Sequence, residues 1–278
     1  MEEKKMKNEM NLYALLNMIK DTLDEEEFPE ICRVIDEELQ TNDLPIGEAP
    51  RIATRIMDCD KPKQFPQDLI EFVKGLYEIG IAAGDAGAMN DLGAQYYDGH
   101  RGFEQNFSKA VEMYKMAAAN GDRQAQENLG YCYYYGRDME PDYEKAFHYF
   151  ALGAFDGHLI SLYKIGDMYL NGYYVEKNER EAFEIYMRCL DTMTDEAAPK
   201  VAGQVYLRLG KMFLRGLGTK KNLETALICY QKAENYLYSM VMDGDVMYRN
   251  SLMAAIKGQE TVRKEMMELL PDDEWNFD

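Results

Sequence analysis

The chain has 278 residues, with 50 Asp and Glu against 31 Lys and Arg, a net charge of −19 and 46% apolar side chains. The apolar content supports a sizeable core and excludes wholesale disorder, while the length admits one or two domains on a prior of about 150 residues each. So acidic a composition argues against a general nucleic-acid binder, whose phosphate contacts call for a basic face, and no apolar run approaches the roughly 18–20 residues of a membrane span.

The N-terminal MEEKKMKNEM is charged and leads into no hydrophobic stretch with a small-residue cleavage site, so a cytoplasmic protein without a secretory leader is expected. Apolar residues at helical spacing then predict two amphipathic helices. These span 8–24 (Met10, Leu12, Leu15, Leu16, Ile19, Leu23) and 28–40 (Phe28, Ile31, Val34, Ile35, Leu39). No later segment alternates apolar and polar residues in the manner of a strand, and no proline falls between Pro66 and Pro141. The chain is predicted to be all-α. Five cysteines, at 32, 59, 132, 189 and 229, form no CxxC pair and no zinc-like spacing, and read as small buried hydrophobes.

From residue 92 the chain repeats itself. LGAQYYDG (92–99), LGYCYYYG (129–136), IGDMYLNG (165–172) and LGKMFLRG (209–216) align without gaps, and a second block follows each, anchored on Ala110, Ala146, Ala182 and Ala226. Each unit predicts two antiparallel helices. Gly93, Gly130, Gly166 and Gly210 leave room for the second helix, and the glycines at 99, 136, 172 and 216 end the first one in a left-handed conformation. Asn106, Asp142, Asn178 and Asn222 are placed to start the second helix, and Gly121 and Gly157 to close it. The eight extra residues of the last step fall around TDEAAPKV, between helices. A fainter copy precedes the four: IATRIMDC (52–59) puts Ala53 in the glycine position and Cys59 in the cap position, and VKGLYEIGIAAGD follows from Val73. A long helix is predicted over about 245–270.

The combined pattern, A-x3-LG-x2-Y-x2-G followed by KA-x2-Y-x2-A-A-x2-G, resembles the Sel-one-like repeat (SLR) family, relatives of the tetratricopeptide repeat. The resemblance implies an all-α, α-α superhelix (solenoid) of helix-turn-helix repeats with helical caps. It divides the chain into an N-terminal helical cap (1–49), a degenerate repeat (50–83), four repeats (84–121, 122–158, 159–194, 195–237) and a C-terminal capping helix with an acidic tail (238–278). It also implies a scaffold or adaptor that holds another protein.

The same resemblance places the first helix of each pair on a concave face, with positions −2, −1, +2, +5 and +6 from the Leu of LG pointing outward. Candidate partner-binding residues are then Tyr97, Tyr131, Tyr134, Tyr135 and Tyr163, whose rigid amphipathic rings offer contact area at low entropic cost, with Lys164, Arg208, Lys211 and Arg215. Charge changes sign along this row, from Asp91, Asp98 and Glu127 to the four cations. The expected partner is a peptide segment or acidic terminus of another protein. Tyr96, Tyr133 and Tyr169 are assigned to the core.

Some secreted cysteine-rich members of the family are associated with β-lactam binding, and Ser161-Leu-Tyr-Lys164 fits S-x-x-K. The accompanying S-D-N and K-T-G elements are absent, as are HExxH, a P-loop and a catalytic Cys/His order, so no enzyme, cofactor or metal is expected. The acidity supports a second reading, an inhibitor or immunity protein of a basic toxin or nuclease. The tail PDDEWNFD, with Trp275 and Phe277, has the composition of a docking segment.

Overall fold

The computed structural model describes residues 12–41, 44–60, 64–193 and 198–269. Met10 and the start of the first predicted helix, part of the TDEAAPKV stretch, and Trp275 and Phe277 lie outside the described residues. Among those described, regular structure consists of thirteen α-helices and two short 3-10 turns, with one isolated backbone bridge between Gln64 and Arg101 as the only β feature. The chain divides into two compact units, 1–142 and 143–278.

The first unit contains α1 (Leu12–Lys20), α2 (Pro29–Leu39), α3 (Ala49–Met57), α4 (Gln67–Ala82), α5 (Ala86–Asp98), α6 (Phe107–Ala119) and α7 (Arg123–Tyr135). Helices α1 to α5 share one core in which Leu12, Leu16, Ile31, Ile35, Ile52, Ile56, Leu69 and Leu76 are buried. Glu38 of α2 reaches the edge of this core with its side chain 4% exposed. Arg51 of α3 meets it with two bonds of 3.0 and 2.7 Å, and Arg55 adds another. Burial alone would push the Glu38 carboxyl up, and the two guanidiniums more than reverse this, holding it below the ordinary carboxylate value. The predicted cap at Cys59 is corrected: α3 ends one residue earlier on Asp58, in a right-handed conformation.

The second unit contains α8 (Tyr143–Phe155), α9 (Leu159–Asn171), α10 (Glu179–Asp191), α11 (Ala198–Arg215), α12 (Leu223–Met242) and α13 (Arg249–Glu268). Helix α11 has 18 residues where α5, α7 and α9 have 13. Part of the extra sequence expected between helices therefore extends the first helix of the fourth repeat at its N-terminal end. The C-terminal helix begins later than predicted, after a 3-10 turn at Val246–Tyr248.

One contact recurs in the helix pairs. A Cβ added to Gly93 would lie 2.8 Å from the Tyr114 ring, at Gly166 2.7 Å from the Tyr186 ring, and at Gly210 2.9 Å from the Tyr230 ring. The LG glycine thus lets an aromatic ring of the second helix lie against the backbone of the first. Tyr230 is gripped a second time, because Gly258 of α13 faces the same ring. The first helices end as the sequence predicts: Gly99, Gly136, Gly172 and Gly216 all have φ between 64 and 73°. At Gly136 the backbone after the turn returns so closely that a Cβ would lie 2.7 Å from the Met139 carbonyl, so glycine is required there for space as well as for φ. Asn106, Asn178 and Asn222 accept from the backbone N–H three residues on, at 3.0, 3.0 and 2.9 Å. Asp85 and Asp122 cap the first helices α5 and α7 in the same way.

A buried polar cluster joins α9 to α11. Asp167 accepts from Arg208 Nη2 at 2.6 Å and also from its Nε, takes the Tyr186 hydroxyl at 2.7 Å, and has Lys164 Nζ at 3.8 Å. The Arg208 guanidinium also donates to the Gln204 carbonyl and side chain, both at 2.9 Å, and lies 4.8 Å from the Tyr163 ring centre. Burial by itself would raise the Asp167 carboxyl, and the Arg208 charge outweighs it, leaving the group below its ordinary value.

Two predictions follow from packing. Gly166→Ala is expected to cost ~1–3 kcal/mol by overpacking against Tyr186, whereas Gly75→Ala in α4, with nothing within 4 Å, should gain ~0.5–1 kcal/mol. Urea denaturation measures both, and equal effects would contradict the assigned contact. Asp167→Asn should cost ~3 kcal/mol by leaving Arg208 buried without its countercharge, with much of the loss recovered in Asp167→Asn/Arg208→Met. Because the folded carboxyl pKa is depressed, its contribution is present above about pH 4 and lost as pH falls through the folded value. The melting temperatures of wild type and Asp167→Asn should therefore converge at low pH; a constant gap from neutral to strongly acidic pH would contradict the assignment.

Candidate protein-interaction surface

The first-helix positions expected to point outward fall into two classes. The rows at −2 and −1 from the LG leucine turn largely into the protein. Asn90 is buried and accepts from Asn128 Nδ2 at 3.0 Å, tying α5 to α7. Tyr163 and Lys164 are only 7% and 3% exposed. The expectation that these two, with Arg208, look outward is corrected: neighbouring first helices pack side by side, so residues on their flanks meet each other before they meet solvent. Arg208 is bound to Asp167, which removes it from the predicted stripe of free donors, while Lys211 and Arg215 on the same helix remain exposed.

The positions nearer the ends of the helices are more open. Tyr135 is 48% exposed at the C-terminus of α7. Its ring stacks on Tyr131, with centres 6.1 Å apart and planes 10° from parallel, and meets Tyr134 edge-on at 4.9 Å. Tyr97 of α5 is half-buried. It packs edge-on against Phe107 at 5.2 Å, and its hydroxyl accepts from Arg137 Nε at 3.2 Å. Burial pushes the Tyr97 hydroxyl pKa up, with Arg137 partly offsetting it. The sequence thus brings Tyr97, Tyr131, Tyr134 and Tyr135 onto the same unit, Tyr97 and Tyr135 both reached by Arg137, and sets Tyr163 apart in a buried position. Tyr133 is core, as assigned, and Tyr96 and Tyr169 are half-buried against core clusters.

Charge is distributed unevenly. Residues 1–142 hold 29 of the 50 acidic and 15 of the 31 basic side chains, a net charge of −14, leaving −5 for 143–278. On the first-helix face of the first unit, Asp91 is partly buried with neutral partners, the Thr54 hydroxyl at 3.0 Å and the Asn90 amide at 3.4 Å. Burial raises its carboxyl above the ordinary value.

Sequence reasoning missed Phe155 of α8, 89% exposed on a second helix, with Leu152 exposed one turn before it. Helical periodicity points to them only once the buried face of α8 is known. The S-x-x-K match does not form an accessible site, because the Ser161 hydroxyl is fully buried against Gly153 and has no hydrogen-bond partner. All five cysteines are buried, and burial pushes the Cys132 and Cys189 thiols up to about 12 and Cys229 to about 11, so they remain protonated. Among the described residues no cluster of His, Cys, Asp and Glu is arranged to hold a metal, and no helix is long and apolar enough to cross a membrane.

Comparison with known proteins agrees with this architecture. The Sel1 repeat family matches residues 86–122, 123–158, 159–186 and 204–235, and its first three matches begin on the first residues of α5, α7 and α9. The mouse (Mus musculus) protein sel-1 homolog 2 is 31% identical over 121 residues, 44% of this chain and 17% of the relative. The ERAD-associated E3 ubiquitin-protein ligase component HRD3B of Arabidopsis thaliana is 32% identical over 108 residues, 38% of this chain and 17% of the relative. The chain therefore spans under a fifth of the length of these relatives. Among solved structures, a Sel1 repeat protein from Oxalobacter formigenes superposes with a TM-score of 0.54 at 19% identity, covering 81% of this chain and 85% of that one. A protective antigen of uropathogenic Escherichia coli displaying an SLR fold gives 0.51 at 16% identity, covering 91% and 56%. With four repeat matches in step with its paired helices and the same fold in solved repeat proteins, the chain belongs to the Sel1 repeat family.

Proposed function

We propose that the protein is a non-enzymatic interaction scaffold of the cytoplasm that holds a segment of another protein against the first helices of its repeats. The observation that carries this reading is the tyrosine cluster at the end of α7, where Tyr131, Tyr134 and Tyr135 present stacked and edge-on rings beside Tyr97 of α5. Such rings combine large contact area with two side-chain torsions each, the combination that makes tyrosine common among the residues dominating interface energies. One relative is a component of a ubiquitin ligase, which supports a role within a protein assembly. Tyr97, Tyr131, Tyr134, Tyr135, Lys211 and Arg215 are the contact residues of this proposal. Tyr163, Lys164 and Arg208 support the helices that carry them, and the partner meets them only where the packing leaves their edges open.

A second reading has its own observation. The charge of −14 concentrated in residues 1–142 suits an inhibitor that presents carboxylates to a basic enzyme in place of phosphate. Its association rate would fall steeply with salt, whereas contact through rings would be less sensitive.

The test is affinity capture from the native cell with the wild-type chain and with Tyr131→Ala/Tyr134→Ala/Tyr135→Ala, each checked for helicity by circular dichroism. Truncating a cluster of interface tyrosines should lose more than ~2 kcal/mol of binding, a thirtyfold or greater drop in recovery of a specific partner. Equal recovery of every captured protein by both chains would end the tyrosine-surface proposal.

A further inference from the structure

We infer that Tyr97, Phe107 and Tyr135 form a guanidinium-binding box which the chain's own Arg137 occupies, and that a partner segment docking here carries an arginine that takes Arg137's place. This rests on the scaffold reading and specifies the chemistry of its partner. The Arg137 guanidinium carbon lies 4.8 Å from the Phe107 ring centre and 5.7 Å from those of Tyr97 and Tyr135, and its Nε donates to the Tyr97 hydroxyl at 3.2 Å. Three rings around one planar cation, with a hydroxyl acceptor at its edge, is an arrangement selective for guanidinium over ammonium. A flat delocalised ion stacks and donates at once, whereas a compact ammonium does so less well.

Repeat packing does not itself require an arginine at this position. The residue after the capping glycine is Arg137 in the second repeat, Tyr173 in the third and Leu217 in the fourth. Tyr173 stacks on Tyr143, which stands where Phe107 does one repeat earlier, with centres 4.3 Å apart and planes 5° from parallel. A neutral ring therefore fills the equivalent place, and the charge of Arg137 is additional to what the stack needs. The box is also open at one side: Tyr135 is 48% exposed and Arg137 is partly exposed. The surrounding unit supplies complementary charge, with a net −14 over residues 1–142 and Asp98 and Asp138 next in sequence to Tyr97 and Arg137. A basic segment is thus attracted to this unit, and an arginine within it finds rings already arranged for its side chain. Arg137 acts as an internal competitor that lowers the affinity of the empty surface for isolated cations.

The experiment is calorimetric titration of the full chain with acetylated tetra-arginine and tetra-lysine peptides at physiological salt. The arginine peptide should bind about fivefold or more tighter than the lysine peptide, and Tyr135→Ala should remove most of that difference without changing net charge. Arg137→Ala should tighten the arginine peptide by about threefold relative to Arg123→Ala, which deletes the same charge at the other end of α7, about 18 Å away. Equal affinities for the two peptides, an unchanged difference in Tyr135→Ala, or no gain in Arg137→Ala over Arg123→Ala would each overturn the inference. Should Arg137→Ala fail to fold, the wild-type chain still decides: its Arg137 Nε–H resonance should move to the position of a solvent-exposed arginine as the arginine peptide saturates, and an unmoved resonance contradicts displacement. If the peptides fail while capture of a partner still depends on Tyr131, Tyr134 and Tyr135, only the box falls and the scaffold reading stands.

Discussion

The close approach of the two helices in the first, third and fourth repeats depends on a missing side chain. Where Gly93, Gly166 and Gly210 meet the rings of Tyr114, Tyr186 and Tyr230, a methyl group would have to occupy space already taken by aromatic carbon. Protein interiors are packed too densely to absorb that overlap without moving a helix. The spacing set by this contact determines which residues flank each first helix. It therefore decides which polar groups are drawn into the stack and which remain at the surface.

The flanking rows show the consequence. Asn90 with Asn128 and Asp167 with Arg208 are bonds between consecutive first helices, and Glu38 with Arg51 and Arg55 makes a comparable tie between α2 and α3. A buried carboxylate in each unit is held charged by guanidinium partners. An isolated buried charge is costly, so each such group constrains the placement of the helix carrying its partner. The acidic composition is handled differently in the two units: most of the excess charge belongs to the first, and the second is closer to neutral.

Much of the fold was legible in the sequence because the repeat carries its own punctuation. The glycines at 99, 136, 172 and 216 predicted left-handed caps, and the asparagines at 106, 178 and 222 predicted helix starts, since both rest on local backbone chemistry. The Asp85 and Asp122 caps are equally local, each directly after a glycine that follows the preceding helix, but the repeat pattern assigns no role to either aspartate. The surface was less legible. A register borrowed from tetratricopeptide repeats describes directions on one helix, whereas exposure at Tyr163, Lys164 and Arg208 depends on the length of side chains arriving from its neighbours. The tyrosines of α7 could be singled out by that register, but the placement of Arg137 against the Tyr135 ring could not, because the residue after a capping glycine belongs to neither helix pattern.

The central functional claim is that partners are held on the first-helix side, at the α7 tyrosines, rather than on a second helix. Benzoylphenylalanine placed singly at Tyr135 and at Phe155, the most exposed large hydrophobic side chain among the described residues, tests it directly by photo-crosslinking in the native cell. The account predicts a discrete covalent adduct from position 135 that is absent from position 155. An adduct from 155 with none from 135 would contradict it and move the binding face to the second helices.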